Sequence, residues 1–338
     1  MGHSSRKRRS RWGLFLPITL FALLVAAYSA YWVYASDIIE ENVDTWIATE
    51  RAGGAVVEYS SKKMSGYPFL FQLTFEDPVY QPDATLRWEG KRMIASMQPW
   101  NWNHIIVRSP GANRVTDKAG IRHTADLDDK SAGSLSWDET GIRRAGLMIN
   151  DAPALIDGAT MQLKAFSLNL SPRPESPSDL MVAVQWDQIA LQEAPLFAPW
   201  LGAEIGPSRL VGEVRGFFPA LQVSGLNTHY LADALIQQNA ELEVAQLLVD
   251  WGPLDLGMQL DAAFTDGQAN GKVGVRLENV EDLQAALEAE GALDMPTQAA
   301  LAVIASGSKD GKFFTLPIKE NGVYVMGQRV AELPSAAQ

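Results

Sequence analysis

Side chains able to move a proton, attack a substrate or hold a metal are few in this chain and poorly spaced. Only four histidines occur, His3, His104, His123 and His229, and none stands in a metal-ligand spacing such as H-E-x-x-H. Cysteine is absent, which removes disulfides, thiolate metal sites, cysteine nucleophiles and a lipidated N-terminal cysteine. The densest acidic group, Asp126, Asp128 and Asp129, lacks the regular ligand spacing of a calcium loop and reads as a solvated turn. Gly271-Lys272-Val273-Gly274 is not a phosphate cradle, because Asp266-Gly267 upstream marks a hairpin turn, and Ser306-Gly307-Ser308 reads as a helix end. The chain contains no G-x-S-x-G elbow, no G-x-x-x-x-G-K-[ST] loop and no dinucleotide fingerprint. Carboxylates on separate strands could still converge as an acid and base pair. On these residues we assign no catalytic, cofactor-binding or metal-binding position.

What must position any functional surface is therefore the fold, and charge divides the chain sharply. Five cations, Arg6, Lys7, Arg8, Arg9 and Arg11, crowd the N-terminus without an acid. Of the 28 basic residues 23 remain from Trp12 onward against 40 acidic ones, so the body carries −17. An acidic body argues against nucleic acid as a partner, since that affinity comes largely from cations neutralising phosphates. A hydrophobic content of 47% over 338 residues is enough for a sizeable core.

Residues 12–35 carry no charge. As a helix rising 1.5 Å per residue they reach roughly 36 Å, enough to cross a hydrocarbon core of about 30 Å. Trp12 lies at one end and Tyr28, Tyr31, Trp32 and Tyr34 at the other, where amphipathic rings prefer the headgroup zone. The basic block precedes the span while Asp37, Glu40, Glu41 and Asp44 follow it, so the N-terminus is expected in the cytoplasm and the body outside it. Val33-Tyr34-Ala35 before Ser36 resembles a signal-peptidase site. The apolar stretch, however, exceeds the roughly 7–15 residues of a signal core, and a retained anchor is the favoured reading.

Beyond the span, Ile39, Val43, Trp46 and Ile47 recur at helical spacing and predict a short amphipathic helix that packs on the sheet and stops at Gly53-Gly54. The period then becomes two: Phe69, Phe71, Leu73 and Phe75 alternate with polar or outward positions, as do Ile121, His123, Ala125 and Leu127. Within 161–170 the apolar phase slips from Met161 and Leu163 to Phe166, Leu168 and Leu170, which predicts a bulge. Pro172, Pro174 and Pro177 predict a loop. Further on, Leu256 to Phe264 and Val273 to Leu277 flank Asp266-Gly267 as a hairpin, and a closing hairpin turns at Asn321-Gly322. Helices are expected around Val280, Leu283 and Leu287 and around Ala299, Leu301 and Ile304. The expected fold is β-rich α+β: a transmembrane helix, then extended, curved antiparallel sheets with a few short helices. Its parts are a basic cytoplasmic tail (1–11), an anchor (12–35), a juxtamembrane helix (36–54), a first β-rich half (55–171), a Pro-rich loop (172–178), a second β-rich half (179–334) and a tail (335–338).

Short motifs add a resemblance. Ser65-Gly66-Tyr67-Pro68-Phe69 leads into an apolar strand, and Trp251-Gly252-Pro253-Leu254, the Asp266-Gly267 to Gly271 hairpin, Leu316-Pro317, Gly322, Gly327 and Leu333-Pro334 follow. Together with the basic N-terminus and single span they resemble the bacterial, mainly alphaproteobacterial, family called domain of unknown function 2125. The resemblance implies a membrane-associated protein of a Gram-negative envelope and carries over no functional residue. The anchor followed by the Gly-Tyr-Pro strand is also similar to the start of AsmA-type envelope proteins, which present long apolar-lined sheets to lipids.

The function expected on these grounds is that of a non-catalytic, periplasmic, inner-membrane-anchored envelope protein. It would bind lipid or an envelope protein partner through an apolar sheet face or groove, with no cofactor. An exported hydrolase of envelope polymers using paired carboxylates is the alternative. A raised carboxyl pKa in a concave pocket would favour the hydrolase; an open apolar sheet side would favour the lipid or partner reading.

Overall fold

The computed structural model describes residues 12–332 except 140, 197, 225–227, 266, 309–310 and 326. The first element, α1 (Trp12–Ala52), is a single unbroken helix of 41 residues. The expected division into an anchor and a separate juxtamembrane helix is thus replaced by one rod: no glycine or proline occurs between Ile18 and Ala52, so nothing interrupts the backbone hydrogen bonds. It stops where the glycines stand, with Gly53 N–H donating to Thr49 O at 3.0 Å and Gly54 at φ 96°.

Everything after α1 is organised by antiparallel strand pairing. One run joins Ser61–Ser65, Phe71–Glu76, Arg92–Gln98, Asn101–Arg108 and Ala132–Asp138 to the 16-residue strand Gly141–Ile156. A second run, Val56–Glu58, Val79–Gln81, Leu86–Gly90, Gly111–Asp117 and Arg122–Leu127, reaches the other end of the same strand through the Ala125–Ala154 pair. The long strand therefore forks the sheet. The two runs meet again where Val57 packs with Leu73 and Phe75 beneath Ile47 of α1. The juxtamembrane part of the helix accordingly packs on the sheet, tied by Tyr80 Oη donating to Glu50 at 3.0 Å and by the Lys62–Asp44 ion pair.

From Gly141–Ile156 the sheet continues through Ala159–Arg173, Ser176–Trp186, Ser208–Arg215, Glu241–Trp251, Leu254–Thr265, Gln268–Glu278 and Phe314–Lys319. The expected Pro-rich loop at 172–178 is a tight hairpin instead: Pro172 pairs with Leu180 and Arg173 with Ser176. Proline is tolerated there because it sits at a strand end and an irregularity, where a ladder N–H is not required. The sheet thus runs without a break from the first half into the second.

The phase slip in 161–170 has a different origin from a bulge. Ala165 lies at φ 50°, yet the register against both neighbours is the same on either side of it. The interruption is shared by three adjacent strands at Asn150, Ala165 and Asp187, which makes a crease across the sheet rather than an inserted residue.

Two helices not expected from the sequence, α2 (Phe217–Ser224) and α3 (Thr228–Gln237), rest against Ser176–Trp186 and Leu254–Thr265. The expected pair is present as α4 (Val280–Ala289) and α5 (Met295–Gly307), the latter capped by Asp294 accepting from Thr297 N–H at 2.8 Å. Leu283, Leu287 and Leu301 form a small core between them with Trp200 and Leu277. The 254–278 hairpin forms as expected, although Asp266 of its turn lies outside the described residues. The closing hairpin turns one residue early, at Glu320 (φ 48°) and Asn321 (φ 65°), with Gly322 paired to Lys319 in the ladder; both central positions have the positive φ that a two-residue turn of this hand needs.

Candidate functional site

Of the titratable side chains singled out in the sequence, His123 and Asp128 are engaged locally. His123 lies between Asp117 and Asp157, each 3.7 Å away, and His104 is a half-buried strand residue. Nothing is described of the side chain of His229, and His3 falls outside the described residues. Asp128 accepts from the Ser131 hydroxyl at 2.7 Å, from Ser131 N–H at 2.8 Å and from Asn150 Nδ2 at 2.8 Å, and these bonds hold its carboxyl below the usual range. It is a turn residue whose oxygens are used. Among the described residues no group of three or more His, Asp or Glu side chains is placed to hold a metal ion.

Carboxylates also line a cleft of about 470 Å³ that includes Asp77, Glu89 and Asp126 beside Ala125, Pro153 and Leu155. Glu89 is held low chiefly by Arg114, with Arg87 adding to it, and Asp77 is held low by Lys91 and Ser60. These groups stay ionised, which is the wrong direction for a general acid. The raised carboxyl is elsewhere: burial pushes Asp255 up, reinforced by Glu278 and Asp250 on the neighbouring strands. None of these three lines a described cavity.

The feature that does extend over the molecule is the distribution of apolar side chains once register is known. Residues paired across an antiparallel ladder share a face, so the pairings can be followed strand by strand. Phe71, Leu73 and Phe75 pair with Met97, Ala95 and Met93; Met97 and Ala95 pair with Ile105 and Val107, and Ile105 pairs with Leu135. Leu135 faces with Ala145, and Ala145 and Leu147 face with Leu170 and Leu168. Val182 and Val184 follow, then Leu210, Leu247, Met258 and Val275, and finally Phe314. The other face of the same strands is mixed: Gln72, Ser96, Ser136, Asn169, Gln185, Arg209, Gln246 and Gln259 stand there with the exposed Ile106, Met148 and Met181 and with Leu248. One side of the sheet is apolar from the strand beside α1 to the strand beside α5.

This side is covered at its ends and open between them. Beside α1 it is closed by Ile47 and Val57, leaving an apolar cavity of about 230 Å³ that reaches Trp46, Trp88 and Met93. At the far end Ala262, Val273, Leu316, Ile318 and Val323 close on one another. In the middle Leu135, Phe166, Leu168, Val182 and Val184 are only half-buried, and Leu147 is 37% exposed. The whole chain exposes 21369 Å², against roughly 13,600 Å² for a compact monomer of this mass. A projecting helix and a sheet whose faces do not close into one core contribute to the excess. Sequence reasoning recovered most of the strands but not this continuity, because register, which decides what shares a face, is not written in any single strand.

The first residue of the apolar row also touches α1. The Trp32 ring stacks on Phe71 with centroids 5.5 Å apart, and Phe71 in turn lies 5.3 Å from Trp102. Ring packing thus joins the helix turn bearing the expected interfacial aromatics to the start of the row.

Over residues 32–334 the chain matches the family model described as "Uncharacterized protein conserved in bacteria (DUF2125)". Neither the curated proteins nor the solved structures gave a match, so the likeness to AsmA-type proteins rests on the sequence features alone.

Proposed function

The chain belongs to the DUF2125 family, whose match takes in the outer turns of α1 together with the sheet, and from that premise we propose that it is a non-catalytic membrane-anchored protein that holds lipid acyl chains along the apolar side of its sheet. The helix α1 is long and apolar enough to span a membrane. The basic residues before it and the acidic ones after it support an orientation with the body outside the cytoplasm, in the periplasm of a Gram-negative envelope. The observation that carries the reading is the apolar side itself, which starts against Trp32 and stays half-exposed across the middle strands. A sheet side meant only as a core would be covered along its length, because exposed contiguous apolar surface is costly unless something binds it.

Retention of the anchor fits the same arrangement. Ala35 and Ser36, which flank the candidate cleavage point, are 3% and 5% exposed within an unbroken helix. The test is photo-labelling of the full-length protein in membranes with a phospholipid whose acyl chain carries a diazirine. Adducts are expected on peptides of the strands Gly141–Ile156, Ala159–Arg173 and Ser176–Trp186 as well as on α1. Adducts confined to α1 would reject acyl-chain binding by the sheet.

A further inference from the structure

At the end of the sheet where the apolar row starts, two loops are fastened to α1 at a height that the helix itself measures. From Trp12 to Trp32 the helix rises roughly 30 Å, the thickness of a hydrocarbon core, so residues 28–32 stand at its outer boundary. At this level Tyr31 Oη donates to Pro99 O at 2.8 Å and Trp32 Nε1 donates to Leu70 O at 3.1 Å. The Tyr28 hydroxyl donates to Pro68 O, and the Ser29 and Tyr67 hydroxyls share a hydrogen bond of 2.7 Å. The loop 66–70 and the two-residue turn 99–100 are thereby held beside the exit turn of the span.

Both loops are chemically unlike the rest of the body. No Asp, Glu, Lys or Arg occurs in residues 64–75 or in residues 94–107, in a chain where one residue in five is charged. Their tips expose large rings: Phe69 is 68% exposed, Trp100 63% and Tyr67 49%, and Trp102 in the strand that follows is 39% exposed. Gly66 makes the first loop possible, since at φ 102° an added Cβ would stand 2.6 Å from Leu70 O.

We infer that these loops form a second membrane contact, in which Phe69 and Trp100 enter the headgroup and upper acyl region of the leaflet that α1 leaves. The occupant is the lipid interface itself, because the hydrogen bonds to residues 28–32 fix the tips at that depth once α1 spans. Uncharged loops can enter there without stranding a charge, and aromatic rings are the side chains that favour this zone. The inference rests on α1 spanning the membrane and is independent of what the apolar row binds. It also gives the Gly-Tyr-Pro-Phe motif a physical role: the glycine shapes a loop whose aromatic tip lies in lipid.

The absence of cysteine makes the test clean, since a single introduced thiol is the only one in the chain. Phe69→Cys, Trp100→Cys and, as a distant control, Met295→Cys on α5 (79% exposed) are labelled with an environment-sensitive dye. Each full-length protein is reconstituted in vesicles of phosphatidylethanolamine and phosphatidylglycerol. Labels at 69 and 100 are expected to emit at shorter wavelength than at 295 and to lose most of their signal to a quencher carried high on the acyl chain. Asn101→Cys keeps both aromatic tips and is expected to be quenched as well, which covers the case in which an aromatic replacement disturbs folding. Quenching at 69, 100 and 101 no stronger than at 295 would overturn the contact. That outcome would leave photo-labelling of the sheet unaffected, so the two readings fail separately.

Discussion

Placing a carboxylate in the middle of the apolar row should cut lipid binding while leaving the fold in place. Leu147 shares its face with Gly133 and Leu168, halfway along the row, and is 37% exposed. Fully burying a leucine contributes about 1.5–3 kcal/mol, so the two-thirds buried here puts the folding cost of Leu147→Asp at roughly 1–2 kcal/mol. An acyl chain lying over the new aspartate would strip its water, and an uncompensated polar group costs about 2 kcal/mol or more. At 1.4 kcal/mol per tenfold change, labelling of the sheet should fall at least about thirtyfold. The neighbouring residue supplies the control, because Met148 points to the opposite face, paired with Ala132 and Ser167, and is 50% exposed. Met148→Asp should fold with an equal burden of added charge and keep its labelling. Quantified diazirine adducts on the three middle strands decide it. Equal labelling of both variants, or equal loss in both, would refute the assignment of a lipid-binding side.

Gly66→Ala should lower stability by about 1–3 kcal/mol, read as a fall in unfolding midpoint in detergent, because the left-handed backbone and the close Leu70 carbonyl both oppose a Cβ. Ile318→Ala, at a position 2% exposed in the far-end core, should cost about 2–5 kcal/mol in the same assay. Asp255 has a raised pKa through burial and the nearby Glu278 and Asp250, so the folded state binds its proton more tightly than the unfolded state does. Its charge therefore costs stability above that raised pKa, and the cost is relieved as pH falls through it. Asp255→Asn should raise the unfolding midpoint at neutral pH, with the difference shrinking in acid; a midpoint unchanged at all pH values would contradict the shift. A reporter fused after Gln338 should be active when it works only in the periplasm and silent when it works only in the cytoplasm, with the anchor intact by mass. Neutral residues in place of Arg6, Lys7, Arg8, Arg9 and Arg11 should weaken that preference.

What could be read in the chain beforehand follows the range over which each signal acts. The long apolar helix was legible because 24 uncharged residues are a local property, and Phe71, Leu73 and Phe75 proved buried as their alternation requires. Phe69 belongs to the same alternation, yet it stands in a loop and is exposed; period alone does not say where a strand begins. The strand expected around Leu147 to Ile149 extends from Gly141 to Ile156, since Arg143, Arg144 and Met148 are all exposed and leave no clean alternation to read. Helices α2 and α3 escaped because at 8 and 10 residues they are too short to show a firm period, and Pro219 sits inside the first. The candidate site was the least legible part. Its chemistry lies in which side chains share a face across many strands, and only pairing reveals that.

An unbroken helix from Trp12 to Ala52 also removes a degree of freedom that most tethered domains keep. A body joined to its span by a loop can swivel and sample many attitudes, whereas with α1 crossing a bilayer as proposed about 20 residues of the same rod, roughly 30 Å of it, would lie beyond the boundary, pinned to the sheet by Asp44, Ile47 and Glu50. Whatever sets the tilt of the span, including the thickness of the surrounding bilayer, also sets the attitude of the sheet. A change of tilt of about 20°, within the range such helices show, would swing the end of the rod sideways by roughly 10 Å. Bilayer thickness thereby becomes a mechanical input to the direction in which the far end of the sheet points.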